Sequence, residues 1–212
     1  MRTMSKPRQL RDHFFHRAKA EGHAARSVYK LEEIDQRYKL LRAGQRVVDL
    51  GAAPGSWLSY AARKVGPRGS CLGIDIKPIT LALPPWVTVR LADAFETRLQ
   101  GPFEVVLSDM APATMGHHGT DALRSLALAE QAFELGLQHL CVGGHLVVKV
   151  LEGAGLPTLC SRIKQHFAGL QRLRPRATRA QSSEIFLIGT GLKPAPANES
   201  AQHLVSKDEQ SR

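Results

Sequence analysis

RVVDLGAAPGSWLSYAARKV, Arg46–Val65, is the stretch on which the architecture turns. RVVDL (Arg46–Leu50) is a short, valine-rich run of the kind buried on both faces of a sheet. GAAPGSW follows, and its glycines and proline interrupt any regular element. From Trp57 to Val65 the composition turns helical. Strand, glycine-bearing turn and helix in this order form the unit from which α/β sheets are wound.

Downstream, CLGIDI (Cys71–Ile76), VTVRLAD (Val87–Asp93), FEVVLSD (Phe103–Asp109) and GHLVVKV (Gly144–Val150) repeat the short Val/Leu/Ile-rich run. Such runs, set between helical or turn-rich stretches, predict a mostly parallel sheet. Asp121–Leu140 carries Leu123, Leu126, Phe133, Leu137 and Leu140 at helical spacing, with Asp121 as an N-terminal acid and Gly143 and Gly144 beyond its end. A further helix over 155–167 leads to QRLRPR and EIFLIGT, which predict a hairpin at the sheet edge. Upstream, Ala24–Tyr38 spaces Val28, Leu31 and Ile34 by three residues, predicting an amphipathic helix. The expected domain is α/β, with helices on both faces of the sheet. It spans 27–192, after a basic segment over 1–26 and before an aperiodic polar tail over 193–212 whose composition predicts disorder.

Open α/β sheets bind ligands beyond the C-terminal ends of their strands. There the sequence places Asp75, Asp93 and Asp109, together with the turn that holds Gly51 and Gly55. The two glycines permit positive φ and close backbone approach, and Asp75, 20 residues after Gly55, is placed to accept hydrogen bonds from ribose hydroxyls. An adenosine-containing cofactor follows. A dinucleotide favours G-x-G-x-x-G, whose second glycine admits a pyrophosphate, but Ala52, Ala53 and Pro54 stand here. S-adenosylmethionine carries no phosphate and suits this turn better, with Asp93 toward its adenine amino group and Asp109 toward its methionine portion. Singly, each strand-end aspartate reads as a turn former. Three of them beside the glycine turn read as a site.

Charge points to a polyanionic partner. The chain has 29 Lys+Arg against 19 Asp+Glu, a net charge of +10. Arg2, Lys6, Arg8, Arg11, Arg17, Lys19 and Arg26 face only Asp12 and Glu21 in the first segment, and Arg172, Arg174, Arg176 and Arg179 crowd a second. The two clusters predict a phosphate-binding groove, and Phe14, Phe15 and Tyr29 are candidates either to stack on bases or to pack in the core. Cys71, Cys141 and Cys160 are odd in number, far apart and form no CxxC pair, so neither a disulfide framework nor a zinc site is indicated, which fits a reducing cytoplasm. HHGTD (His117–Asp121) lacks a spaced further ligand set, so no metal is expected. No apolar run approaches the roughly 20 residues that span a bilayer, and RDHFFHRAKA near the start is no apolar signal core. No membrane association is expected.

LGAAPGSW, SDMAP and SSE, with the upstream AKAEGHAARSVYKLEEID, resemble the FtsJ (RrmJ) family of ribose 2′-O-methyltransferases, in particular its bacterial members that act on large-subunit ribosomal RNA. The similarity runs from about Asp12 to about Gly189. It implies a Rossmann-like class I methyltransferase with a seven-stranded, mostly parallel sheet. It also implies a Lys-Asp-Lys-Glu tetrad at Lys30 in SVYKL, Asp109 in SDMAP, Lys149 in VVKVL and Glu184 in SSEIF. S-adenosylmethionine would contact Gly55, Trp57, Asp75, Asp93 and Asp109. The substrate implied is a uridine ribose of 23S ribosomal RNA, met within the 50S large ribosomal subunit by a monomeric cytoplasmic enzyme. Two positions depart from the family's usual pattern: Ser56 stands where glycine is common, and Ala113 where asparagine is common.

A ribose hydroxyl is a weak nucleophile, and its proton must leave as oxygen attacks the methyl in line. Lys149 serves as base only when neutral, so its pKa would have to fall from the usual value of about 10.4. Burial, Lys30 and the sulfonium favour that fall, while Asp109 and Glu184 oppose it. Two mechanisms therefore stay open: neutral Lys149 takes the proton, or the tetrad positions the hydroxyl and the proton departs late. Alternative functions are the same chemistry on transfer RNA and a non-catalytic RNA-binding factor of ribosome assembly.

Overall fold

The computed structural model describes residues 16–18, 20–21, 24–113 and 116–195. Arg2, Lys6, Arg8, Arg11 and Lys19 of the basic segment, Phe14 and Phe15, and the tail from residue 196 lie outside the described residues.

In chain order the elements are α1 (Val28–Tyr38), β1 (Arg46–Leu50), α2 (Ser56–Val65), β2 (Ser70–Asp75), β3 (Val87–Leu91), β4 (Phe103–Ser108), α3 (His118–His139), β5 (Leu140–Leu151), α4 (Leu156–His166), β6 (Phe167–Leu173) and β7 (Glu184–Leu192). The seven strands form one sheet in the order β3-β2-β1-β4-β5-β7-β6. β1 to β5 pair in parallel, and β7 runs antiparallel between β5 and β6. The sequence predicts this last hairpin as a unit at the edge. The structure puts only β6 at the edge and inserts the returning strand beside β5. Burial follows the order: β7 is buried over Ile185–Gly189 while β6 is largely open to solvent.

Side chains alternate along each strand, so one run of residues supplies two cores. Val47, Val105, Leu107, Val147, Phe186 and Ile188 face α1 and α2. Val48, Val106, Val148, Ile185 and Leu187 face α3 and α4. Helices thus cover both faces, as expected.

α1 begins at Val28, four residues later than its periodicity predicts, because Ala24–Ser27 form turns. It stops at Lys39, whose φ of 55° is left-handed and whose N–H closes on the Asp35 carbonyl at 2.7 Å. The buried Asp35 carboxylate then accepts hydrogen bonds from the Leu41 N–H at 2.9 Å and the Tyr60 hydroxyl at 3.0 Å. That network fixes α1 against α2, and with it the position of Lys30. Tyr29 is buried and donates its hydroxyl to Glu21 at 2.9 Å, under the Arg17 guanidinium. It belongs to the core and is no stacking platform for bases.

Candidate active site

The C-terminal ends of β1, β2, β3 and β4 surround a cavity of about 330 Å³. Gly51, Ala53, Asp75, Asp93 and Asp109 line it, with Ile76, Phe95 and Met110 among its apolar walls. Gly51 has φ of 77°, and a Cβ built there would stand 2.4 Å from Met110 Cγ, so both conformation and space demand glycine. Gly55 starts α2 at φ of 104° and is overhung by Ile79 and Leu81. It and Trp57 are the two sequence-predicted cofactor residues that do not line this cavity. The Trp57 ring turns into the core at 3% exposure, stacks on Phe186 with ring centres 5.6 Å apart, and donates Nε1–H to the Ser27 carbonyl at 2.9 Å. Towards a ligand, Trp57 can therefore offer only its backbone N–H in the first turn of α2.

The aspartates are already set by the backbone. Asp75 Oδ2 accepts the Ala53 N–H and Oδ1 the Lys77 N–H, each at 2.8 Å. Each oxygen keeps a lone pair for a further donor. Asp93 Oδ1 accepts the Phe95 N–H at 2.9 Å, which orients that carboxylate across the cavity mouth.

Lys30, Asp109, Lys149 and Glu184, separated by up to 154 positions in sequence, meet as two ion pairs. Lys149 Nζ donates to Asp109 Oδ1 at 2.8 Å and also to the Asp109 backbone carbonyl. Lys30 Nζ lies 2.5 Å from Glu184 Oε1. Both lysines are only 8% exposed. The topology dictates the meeting. β5 carries Lys149 on the face toward α1, and antiparallel pairing sets Leu151 opposite Glu184 and Lys149 opposite Phe186. α1 then delivers Lys30 over the Phe186 ring, 5.8 Å from its centre. Burial alone would raise the Glu184 pKa, but the charge and hydrogen bond of Lys30, with the charge of Lys149, outweigh it and hold the carboxyl below its ordinary value.

Two residues of this neighbourhood escape the sequence reading. Phe186 forms the apolar floor beneath Lys30 and Trp57, and its signal was the i, i+2 spacing from Glu184 on one strand face. Asp49 is fully buried in β1, and among the described residues neither carboxylate oxygen makes a hydrogen bond of good geometry, the Leu58 backbone being the nearest donor to act on it. Burial, then the charges of Asp109 and Asp75, push its pKa well above the carboxylate range. An acid inside the apolar run RVVDL was the signal. Among the described residues, no group of three or more His, Cys, Asp or Glu side chains could hold a metal ion, and no helix is long and apolar enough to cross a membrane.

Residues 24–192 match the model of the FtsJ-like methyltransferase family. A "Ribosomal RNA large subunit methyltransferase E" of Syntrophobacter fumaroxidans is 45% identical over 191 residues, covering 87% of this chain and 97% of that one. Its namesake from Bdellovibrio bacteriovorus is 43% identical over 191 residues, covering 86% and 97%. Among solved structures, a ribosomal RNA methyltransferase of Plasmodium falciparum superimposes with a TM-score of 0.73 at 23% identity, over 82% of this chain and 100% of that one. A SAM-dependent O-methyltransferase of Thermotoga maritima shares the fold with a TM-score of 0.55 at 12% identity, over 78% of this chain and 65% of that one.

Proposed function

Because the chain belongs to the FtsJ-like methyltransferase family, we propose that it methylates the 2′-hydroxyl of a uridine ribose in 23S ribosomal RNA, using S-adenosylmethionine. The observation that carries this reading is the buried amine of Lys149, hydrogen-bonded to an aspartate that itself lines the cavity.

The residues present fit the cofactor. Asp75 has lone pairs left for two ribose hydroxyls, Asp93 has a carboxylate oxygen for an adenine amino group, and Ile76, Phe95 and Met110 offer apolar walls to the base. The first N–H groups of α2 suit the carboxylate of the methionine portion, which supports a role for Gly55 and Trp57 through the backbone. When bound, S-adenosylmethionine supplies an electrophilic methyl group on a positively charged sulfur.

Lys149 then faces the nucleophile in one geometry whatever its charge. As a neutral amine it spends both hydrogens on Asp109, leaving its lone pair in the third direction to receive the hydroxyl proton. As an ammonium it points its third N–H the same way and orients the hydroxyl oxygen. Glu184, held ionised by Lys30, accepts hydrogen bonds only, so it can take the hydroxyl hydrogen bond but not donate one. As the ribose oxygen gains the methyl it gives up its proton, and Lys149, when neutral, is the group placed to take it. The basic residues flanking the site support an RNA substrate, and the reading extends to the 50S particle as substrate and to a monomeric cytoplasmic enzyme.

The test incubates purified protein and radiolabelled S-adenosylmethionine with large subunits from a methylation-deficient strain, with free ribosomal RNA, and with transfer RNA, alongside Lys149→Ala. Label at a large-subunit ribose that is lost in the variant is the expected result. Label on transfer RNA would change the substrate, and cofactor binding without any transfer would point to an assembly factor.

A further inference from the structure

Lys30 and Glu184 also line a second cleft, of about 440 Å³, which shares no lining residue with the cofactor cavity. Its volume lies in the range of roughly 300–1,000 Å³ typical of small-ligand sites. Its walls are polar and include Arg26, Ser27, Arg179 and Ser182. Since Glu184 is engaged by Lys30, the cleft presents an excess of positive charge beside the tetrad.

The four arginines of the β6–β7 segment are not equivalent. Arg172 stands 3.9 Å from Glu152. Arg174 directs Nη2 at three backbone carbonyls of one loop, those of Arg179 at 3.4 Å, Ala180 at 3.2 Å and Ser182 at 2.5 Å. Arg176 is held through its backbone N–H, which Glu33 accepts at 2.8 Å, and so ties the segment to α1. Arg179 alone of the four lines the cleft, and among the described residues its guanidinium makes no hydrogen bond or ion pair. An arginine held at its backbone carbonyl, with five unengaged donors, lining a cleft beside a ribose-methylating centre has the chemistry of a phosphodiester clamp.

We propose that Arg179 binds a backbone phosphate of the target nucleotide, and that Arg174 is a positioning residue that closes the 179–182 loop so that Arg179 stays over the cleft. This rests on the RNA-methylating function proposed above. It divides the arginine cluster into one phosphate contact and one internal staple, where the sequence alone offers four interchangeable cations.

The experiment measures kcat and KM for methylation-deficient large-subunit RNA across a salt series, for the wild type, Arg179→Ala, Arg179→Lys, Arg174→Ala and the Arg174→Ala/Arg179→Ala double variant. Cofactor affinity and Tm are measured in parallel. Arg179→Ala should lower kcat/KM about tenfold or more, carried mainly by KM, as expected for one lost charged hydrogen-bonding contact. It should also lower the slope of log KM against log salt by about 0.7–0.9, the contribution of one phosphate. Arg179→Lys should restore the slope while recovering only part of the affinity. Arg174→Ala should raise KM in the same direction, and the double variant should fall short of the summed effects because both act through one contact. An unchanged KM and salt slope in Arg179→Ala, with the wild type active on RNA, overturns the proposal and leaves the proposed function standing. Parallel losses of Tm and cofactor affinity would also overturn it, by showing a structural role. A wild type that methylates no RNA refutes the proposed function, and this inference with it.

Discussion

Replacing Glu184 with glutamine isolates the charge of one buried partner while keeping its shape. Lys30 Nζ and Glu184 Oε1 are 2.5 Å apart, with side chains 10% and 12% exposed. At an effective dielectric near 20 their attraction is about 7 kcal/mol before desolvation is counted. Desolvation of both ions offsets much of it, and deleting one partner of a buried pair outright costs about 3–5 kcal/mol. Glutamine retains the acceptor oxygen, so Glu184→Gln should cost less, about 2–3 kcal/mol, the range of a hydrogen bond to a charged group. In a domain of this size each kcal/mol moves Tm by about 2–4 °C, so a fall of about 4–12 °C is expected. The folded Glu184 carboxyl titrates below its unfolded value of about 4.3, so the stabilisation is complete above that pH and disappears as pH falls through the lowered folded pKa. Thermal melts of both proteins from neutral to acid pH should therefore converge in acid. A second variant, Lys30→Met/Glu184→Leu, should recover much of the lost Tm because an apolar pair carries no desolvation cost, yet remain inactive. A Tm change below about 2 °C at neutral pH, smaller than a single kcal/mol would produce, or a gap that persists unchanged in strong acid, would refute the account.

Lys149→Met should lower methyl transfer about 10²- to 10⁴-fold, the usual weight of a positioned proton acceptor, with cofactor affinity retained in a binding titration. Asp75→Ala should weaken cofactor binding by about tenfold or more through the loss of charged hydrogen bonds, and saturating cofactor should recover activity. Asp49→Asn should be more stable than the wild type at neutral pH. The raised folded pKa of Asp49 makes wild-type stability decline as pH rises above the unfolded value of about 3.9, so denaturation curves of the two proteins should approach each other near pH 4. Gly51→Ala should cost about 1–3 kcal/mol by chemical denaturation, since the new methyl meets Met110 at a positive φ.

Periodicity read most of the fold because the elements here are locally consistent. RVVDL and FEVVLS are central strands, and GAAPG forms the turn, with Ser56 and Trp57 already in α2. The order of β6 and β7 was not legible, because it depends on which of two apolar runs buries better beside β5. The three aspartates that line the cavity were readable as strand ends. Lys30 and Glu184 were not readable from pattern, since neither residue type nor spacing reveals an ion pair that exists only after β7 pairs with β5 and α1 docks. The resemblance named them, and the geometry brings them together. Asp49 and Trp57 show what pattern leaves open. The apolar run hides a buried acid, and the Trp57 ring packs into the core, which leaves its backbone N–H for a ligand.

The antiparallel insertion of β7 divides the labour of the site along the chain. Every residue lining the 330 Å³ cavity falls between Gly51 and Leu128, whereas the two ion pairs need residues from 30 to 184. Fraying of the 174–184 segment at the start of β7 thus withdraws Glu184 while sparing the cavity walls. A chain frayed there would still load its methyl donor and yet stay silent, so occupancy and turnover can fail separately. Protection of the β7 amides in hydrogen exchange, more than cofactor affinity, would then track the fraction of molecules competent for transfer.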